Sequence, residues 1–121
     1  MRSWFSGLTL LAAIVCGAVR AEAADRTWDV QLKHISGTSP NCVPSAQLAA
    51  REGDGKFSLV SPAQNFVLWS LPTAADGSAA GETINAYNQA PVKVSVPAGT
   101  APRPFEVLDK STMCGYRWDP L

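Results

Sequence analysis

The last stretch of the chain is Phe105-Glu-Val-Leu-Asp-Lys-Ser-Thr-Met-Cys-Gly-Tyr-Arg-Trp-Asp-Pro-Leu121, in which the aromatic residues Tyr116 and Trp118 alternate just after Cys114. Alternation of large apolar and polar side chains is typical of a strand with one buried face. We therefore predict a closing strand at 113–118, and we expect a disulfide from Cys114 to fasten it to an earlier part of the domain.

The N-terminus has the anatomy of a secretory signal peptide. Arg2 precedes an uncharged apolar run at 4–19, and an Ala-x-Ala pattern follows. We predict a signal peptide at residues 1–23, with cleavage before Ala24 or Asp25. The run is shorter than the ~20 residues that span a bilayer, so no membrane span is expected after cleavage.

Cysteine usage predicts one disulfide in the exported chain. Cys16 falls within the predicted signal peptide, and Val15 before it departs from the small residue that a lipoprotein signal requires, so lipidation is not favoured. Cys42 and Cys114 remain, and an exported chain with an even cysteine count is expected to pair them. Closing a loop of about 70 residues contributes on the order of 4 kcal/mol in the chain-entropy model.

Length and charge narrow the classes of partner. Residues 24–121 suffice for one domain and not for two. The chain has 10 Lys and Arg residues against 10 Asp and Glu residues, without a basic cluster. Neither a nucleic acid nor an anionic membrane is therefore an expected partner.

Hydrophobic periodicity predicts an all-β fold. Six to seven short strands are separated by turn clusters and by a proline-rich connection at 97–104. The predicted strands are 27–35, 56–60, 66–71, 82–87, 92–96, 105–108 and 113–118. This pattern fits a sandwich or a small barrel. The similar pairs Trp28-Asp29 and Trp118-Asp119 suggest that the two terminal strands are neighbours.

Two segments depart from strand character. Residues 45–51 form the one predicted helix, since alanines favour it, Ser45 suits its N-cap and Gly53 suits its end; an irregular loop is the alternative. Residues 73–81 are small, polar and without a core-filling side chain, and we predict a mobile loop there.

The sequence points to no catalytic, cofactor-binding or metal-binding residue. His34 is the one histidine, whereas zinc and blue-copper sites need several clustered ligands. Neither an activated-nucleophile motif nor a phosphate-binding glycine motif occurs. We expect His34 to be an ordinary surface residue at the end of a strand.

Aromatic residues give a mild binding signal. Trp28 and Trp69 stand at inward positions of predicted strands, so we assign both to the core. Tyr87, Arg103 and Tyr116 are the weak candidates for partner contacts. Arg103 lies between two prolines and is expected to point outward.

The layout of signal peptide, about 100 mature residues, one long-range disulfide and short alternating strands resembles that of many small periplasmic β proteins of bacteria, among them inhibitors of proteases and lysozymes. No family motif matches residue by residue, so no residue's role is carried over. We expect a periplasmic or extracellular, non-enzymatic binding or inhibitor-type module for a protein or glycan partner. The alternatives are a structural or assembly component of the cell envelope that pairs through a sheet edge, and an enzyme.

Overall fold

The computed structural model describes residues 25–121, and these residues form one antiparallel sheet of eight strands. The strands are β1 Arg26–Ser36, β2 Gln47–Gly53, β3 Lys56–Ser61, β4 Phe66–Pro72, β5 Ala79–Asn85, β6 Ala90–Val96, β7 Phe105–Asp109 and β8 Cys114–Pro120. A 3₁₀ turn at Pro62–Gln64 separates β3 from β4. The predicted signal peptide at 1–23 and Cys16 lie outside the described residues.

The sheet curls into a nearly closed barrel. Its strand order is β4-β3-β2-β1-β8-β7-β6-β5, so β4 and β5 are the end strands. They face each other across a seam, where the backbone N–H of Ala86 donates to the carbonyl of Leu68 at 2.8 Å. A Cβ built on Gly81 would lie 3.7 Å from Leu71 Cδ2. Of the two architectures that the sequence leaves open, the barrel is the one observed.

The first and last strands are neighbours, as the sequence suggests. β1 pairs antiparallel with β8, which places Leu32 opposite Trp118 and Val30 opposite Pro120. The register shifts between His34 and Ser36, where the strand bulges. This pairing joins the two halves of the sheet.

The helix predicted at 45–51 is wrong, because Gln47–Gly53 is a strand. β2 pairs with β1 on one side and with β3 on the other. Ala49 and Ala50 are both fully buried, which requires cover on both faces of the strand. Two backbone ladders and this burial outweigh the weak helix propensity of a two-turn segment. The segment supplies the eighth strand, one more than predicted.

Strand boundaries also differ at β5. The strand predicted at 82–87 begins earlier, at Ala79, and ends at Asn85. Ala79 is buried, so the predicted loop at 73–81 gives its last residues to the barrel wall. By contrast, the clean alternation predicted for β6 is confirmed, because Val92, Val94 and Val96 are all buried.

One end of the barrel is filled by aromatic rings, and we call it the plugged end. The Phe57 ring lies at its centre, 5.7 Å from the Trp28 ring and 5.1 Å from the Phe105 ring, both in edge-on contacts. Trp69 also packs on Phe57, with ring centroids 6.3 Å apart. Trp69 is buried and Trp28 half-buried against the core, which agrees with the predicted core role of both residues.

Arg103 closes the plugged end, contrary to the expectation that it points outward. Its guanidinium makes a bidentate ion pair with Glu52, with both N–O distances 3.1 Å. It also donates to the carbonyls of Pro97, at 2.8 Å, and Gly77, at 2.7 Å, and lies 5.6 Å from the centroid of the Phe57 ring. The rigid guanidinium thus makes four hydrogen bonds to three segments at once, which explains why this charged residue is only 6 % exposed.

Candidate binding cavity

The opposite end of the barrel is open and holds a cavity of about 510 Å³. Its walls are apolar side chains from the inner face of the barrel, and its mouth is polar. The walls include Leu32, Leu48, Leu59, Leu68, Trp69, Val92, Val107, Tyr116 and Trp118. The polar side chains at the mouth include Asn41, Ser61, Gln64, Asn85, Asn88, Asp109, Ser111 and Thr112.

The inner face of β5 carries small side chains, and one of them, Asn85, lines the cavity. The register places Gly81 opposite Val94 and Thr83 opposite Val92, so Ala79, Gly81, Thr83 and Asn85 share the face that looks into the barrel. None of these side chains is large enough to match the aromatic rings on the other strands. Eight strands leave an interior that side chains fill or that one small ligand occupies.

A segment at residues 37–46, here the disulfide loop, borders the mouth. The predicted pairing of Cys42 with Cys114 is confirmed, and it ties this loop to the start of β8. The N–H of Leu32 donates to the carbonyl of Ala46 at 2.8 Å, and the N–H of Val43 donates to the Tyr116 hydroxyl at 2.8 Å. The loop is therefore fixed to the wall of the cavity at three points.

A glycine permits the close approach of β1 and β8 beside the disulfide. A Cβ on Gly115 would overlap the hydroxyl of Ser36, at the position where the β1–β8 register shifts.

His34, on the same part of β1, is exposed, and its Nε2–H donates to the carbonyls of Ser36, at 2.7 Å, and Gly37, at 3.0 Å. His34 is thus the surface strand-end residue that the sequence predicts.

Of residues 25–121, Asp109 is the single charged side chain that lines the cavity. Its Oδ1 accepts hydrogen bonds from the backbone N–H of Ser111, at 2.9 Å, and from the Ser111 hydroxyl, at 2.6 Å. The carboxylate thus caps the turn that leads into β8. The cavity lining brings no lysine, arginine or histidine to balance that negative charge within the described part of the chain.

Three groups with displaced pKa values lie on the outer surface. Hydrogen bonds from Ser78 lower the pKa of Asp76. The hydrogen bond and charge of Lys110, 2.9 Å away, lower the pKa of Glu82. The hydrogen bond to Asp119, at 2.8 Å, and its charge raise the pKa of Arg117. These three ion-pair or turn contacts are exposed.

The contact residues that the sequence suggested lie at two different ends of the barrel. Tyr87 and Tyr116 line the open cavity, Tyr87 on an exposed loop and Tyr116 in the buried wall. Arg103 lies at the plugged end, where its donors are engaged within the chain. The sequence reasoning missed the amides Asn85 and Asn88, although their position on either side of Tyr87 marks the same turn.

The chain matches no protein-family model, no curated protein and no solved structure. Within residues 25–121, no helix combines the length and apolar character needed to cross a bilayer. In the same part of the chain, no three side chains of the His, Cys, Asp and Glu types are grouped so that they could hold a metal ion.

Proposed function

We propose that this chain is an exported, non-enzymatic binding module whose site is the cavity at the open end of the barrel. The observation that carries the proposal is an open cavity of about 510 Å³ with apolar walls and a polar mouth. Ligand sites in proteins are concave, are lined mostly by apolar side chains, measure ~300–1,000 Å³ and occur in the mouths of β-barrels.

The scaffold supports this proposal because the apolar walls of the cavity are built on strands. Leu59, Val92 and Trp118 line it from three different strands and are each less than 5 % exposed. The aromatic rings of the plugged end pack between the strands at the opposite end of the barrel and hold them in place. A site whose walls are part of the core is preorganised, which lowers the entropy cost of binding.

Two features support export. The N-terminal sequence has the pattern of a secretory signal peptide, and the Cys42–Cys114 disulfide belongs to an oxidising compartment. We propose a periplasmic or extracellular location on these grounds.

A second candidate function is an inhibitor-type module that docks onto a partner protein. Val43, Tyr87 and Met113 are exposed and stand on the three loops at residues 37–46, 86–89 and 110–113. All three loops leave the barrel at its open end. Exposed aromatic, methionine and aliphatic side chains around a concave mouth are typical of protein interfaces.

The two remaining functions have less support. Pairing through a sheet edge would need a free edge strand, yet the end strands β4 and β5 face each other across the seam. Acid–base catalysis would need groups that converge in the cavity, whereas Asp109 is its one charged lining residue in the described part of the chain and caps a turn.

The proposal can be tested with N-phenyl-1-naphthylamine, a neutral probe whose fluorescence rises in apolar pockets. We expect saturable binding to the purified mature protein. Leu48 is half-buried near the start of β2 and lines the cavity. The variant Leu48→Trp fills the cavity from this position and should abolish binding. The control Ile84→Trp adds the same ring on the exposed face of β5 and should bind normally.

Equal probe binding by the Leu48→Trp variant and the wild type would show that the probe binds outside the cavity, and would overturn the proposal. Circular dichroism on both variants would establish that each retains the fold. A partner protein recovered from an envelope extract and released by Leu48→Trp, in the absence of probe binding by the wild type, would support the inhibitor-type candidate instead.

A further inference from the structure

We infer that the cavity takes a neutral molecule with an apolar body and a head group that accepts hydrogen bonds, such as an ester, ketone or amide carbonyl. This inference rests on the proposed function and adds the chemistry of the ligand. It follows from three properties of the cavity: the apolar walls, the orientation of two amide side chains at the mouth, and the sign of the charge.

The walls determine the body of the ligand. Trp69, Trp118 and Leu59 are buried and present carbon surfaces to the cavity. The Tyr116 hydroxyl oxygen accepts from the N–H of Val43, at 2.8 Å, and its own O–H remains a donor. A ligand gains ~25 cal/mol for each Å² of apolar surface that it transfers to such walls, and a polar group placed against their carbon surfaces would lose its water without a new partner.

The amide of Asn85 has a fixed orientation. Its Oδ1 accepts a hydrogen bond from the backbone N–H of Tyr87 at 2.9 Å. A backbone N–H can donate only to the oxygen of the amide, so the contact determines which end is oxygen and which is nitrogen. The Asn85 NH₂ group therefore remains at the cavity mouth as a donor.

Asn88 repeats this arrangement three residues later. Its Oδ1 accepts from the backbone N–H of Ala90 at 3.0 Å. Among residues 25–121, neither the Asn88 nor the Asn85 amide nitrogen donates a hydrogen bond to a protein acceptor. Both amides thus use their acceptor within the turn and offer their donors to whatever enters the mouth. The matching ligand group is an acceptor.

The charge of the mouth disfavours an anionic head group, and the amide donors disfavour a cationic one. Among the residues that the structure describes, Asp109 is the charged lining residue, and the lining has no cation to pair with an anion. A carboxylate ligand would lose hydration and meet the Asp109 carboxylate, both of which are unfavourable. A primary ammonium has only donors, which do not match the amide N–H donors of Asn85 and Asn88.

Four ligands that share an eight-carbon chain isolate the head group: methyl octanoate, octanoate, octylammonium and octane. Trp69 and Trp118 line the cavity, so tryptophan fluorescence of the mature protein reports binding. We expect methyl octanoate to bind at least about tenfold more tightly than each of the other three, as ~1.4 kcal/mol of hydrogen bonding would give.

The outcomes separate the inference from the proposed function. If none of the four binds the wild type and N-phenyl-1-naphthylamine does not bind either, the proposed function fails. If octane, octanoate or octylammonium binds as tightly as the ester, the cavity is a ligand site and the inference about its head group is wrong.

Isosteric variants test the two amides directly. Asn85→Asp and Asn88→Asp each keep an oxygen for the backbone N–H of the turn but replace the free donor with an acceptor. We expect each variant to bind methyl octanoate about tenfold more weakly than the wild type and to bind octylammonium more tightly by a similar factor. Asn65→Asp adds the same charge at the same end, on a residue that does not line the cavity. Equal losses in all three variants would assign the effect to general charge and contradict the inference.

Discussion

The hydroxyl of Tyr116 accepts a hydrogen bond from the backbone N–H of Val43, at an O–N distance of 2.8 Å and across 73 positions of sequence. Tyr116 belongs to the cavity wall, and Val43 belongs to the disulfide loop at the mouth. The next residue toward the N-terminus from Val43 is Cys42, which is bonded to Cys114. A covalent bond and a buried tyrosine therefore hold the same loop against the same strand.

The Tyr116→Phe variant should loosen the disulfide loop without emptying the cavity wall. Loss of this one hydrogen bond should cost about 1 kcal/mol in the free energy of unfolding, because the ring and its packing remain. Amide hydrogen exchange should accelerate at Val43 in particular. An unchanged exchange rate at Val43 would show that the disulfide alone fixes the loop.

Reduction of the Cys42–Cys114 disulfide should destabilise the domain as a whole. The bond spans 72 positions, so the chain-entropy model gives on the order of 4 kcal/mol, or roughly 20 °C in the melting temperature of a domain of this size. Calorimetry with and without a phosphine reductant measures the shift, with the double variant Cys42→Ser and Cys114→Ser as the control. Two alkylatable thiols in protein taken from its native compartment would contradict the prediction that the bridge forms there.

The Arg103→Met variant should lower stability and leave ligand binding unchanged. Removal of the guanidinium leaves Glu52, whose side chain is only 23 % exposed, without its partner. The cost should be about 3 kcal/mol in urea unfolding. Because Arg103 lies at the plugged end, the affinity for N-phenyl-1-naphthylamine should match that of the wild type wherever the variant is folded.

A matched control for that change is Arg117→Met, at the exposed ion pair with Asp119. Exposed ion pairs contribute little to stability, so we expect no measurable change in the urea midpoint. Equal destabilisation by the two variants would mean that burial of Arg103 is not the cause.

Acid should weaken the contact between Glu82 and Lys110. The pKa of Glu82 is lowered from its ordinary value of 4.5 by Lys110. The pair therefore stabilises the fold above about that pH, and its contribution is lost as the pH falls through the lowered pKa. Between pH 6 and pH 3, the melting temperature should fall less for Glu82→Gln than for the wild type, because the variant has no ion pair to lose. The difference should be slight, since both side chains are exposed. A larger acid shift in the variant would contradict this sign.

Much of the fold could be predicted from period-two alternation, as Val92, Val94 and Val96 illustrate. Local propensity failed at 45–51, where alanines and a serine cap describe a helix in isolation. Its strand state depends on two ladders with β1 and β3 and on the burial of Ala49 and Ala50. Those partners are distant in sequence, so no local pattern announces them.

The site was harder to predict from the sequence than the fold. Tyr116 and Tyr87 were candidates by residue type alone, and nothing in the sequence revealed that they line one cavity. The cavity lining comes from all eight strands, and it is assembled by pairings between strands that are distant in sequence. Arg103 was misplaced for a related reason, because its partner Glu52 lies 51 positions away.

Both described ends of the chain lie at the plugged end of the barrel, since β1 begins there at Arg26 and β8 ends there before Leu121. The backbone N–H of Leu121 donates to the carbonyl of Asp29 at 3.0 Å, which anchors the last residue beside β1. A tag, fluorescent fusion or sensor-chip linkage attached at Leu121 would therefore present the mouth outward. Immobilisation through the C-terminus offers an oriented capture surface on which chemically diverse extracts can be screened.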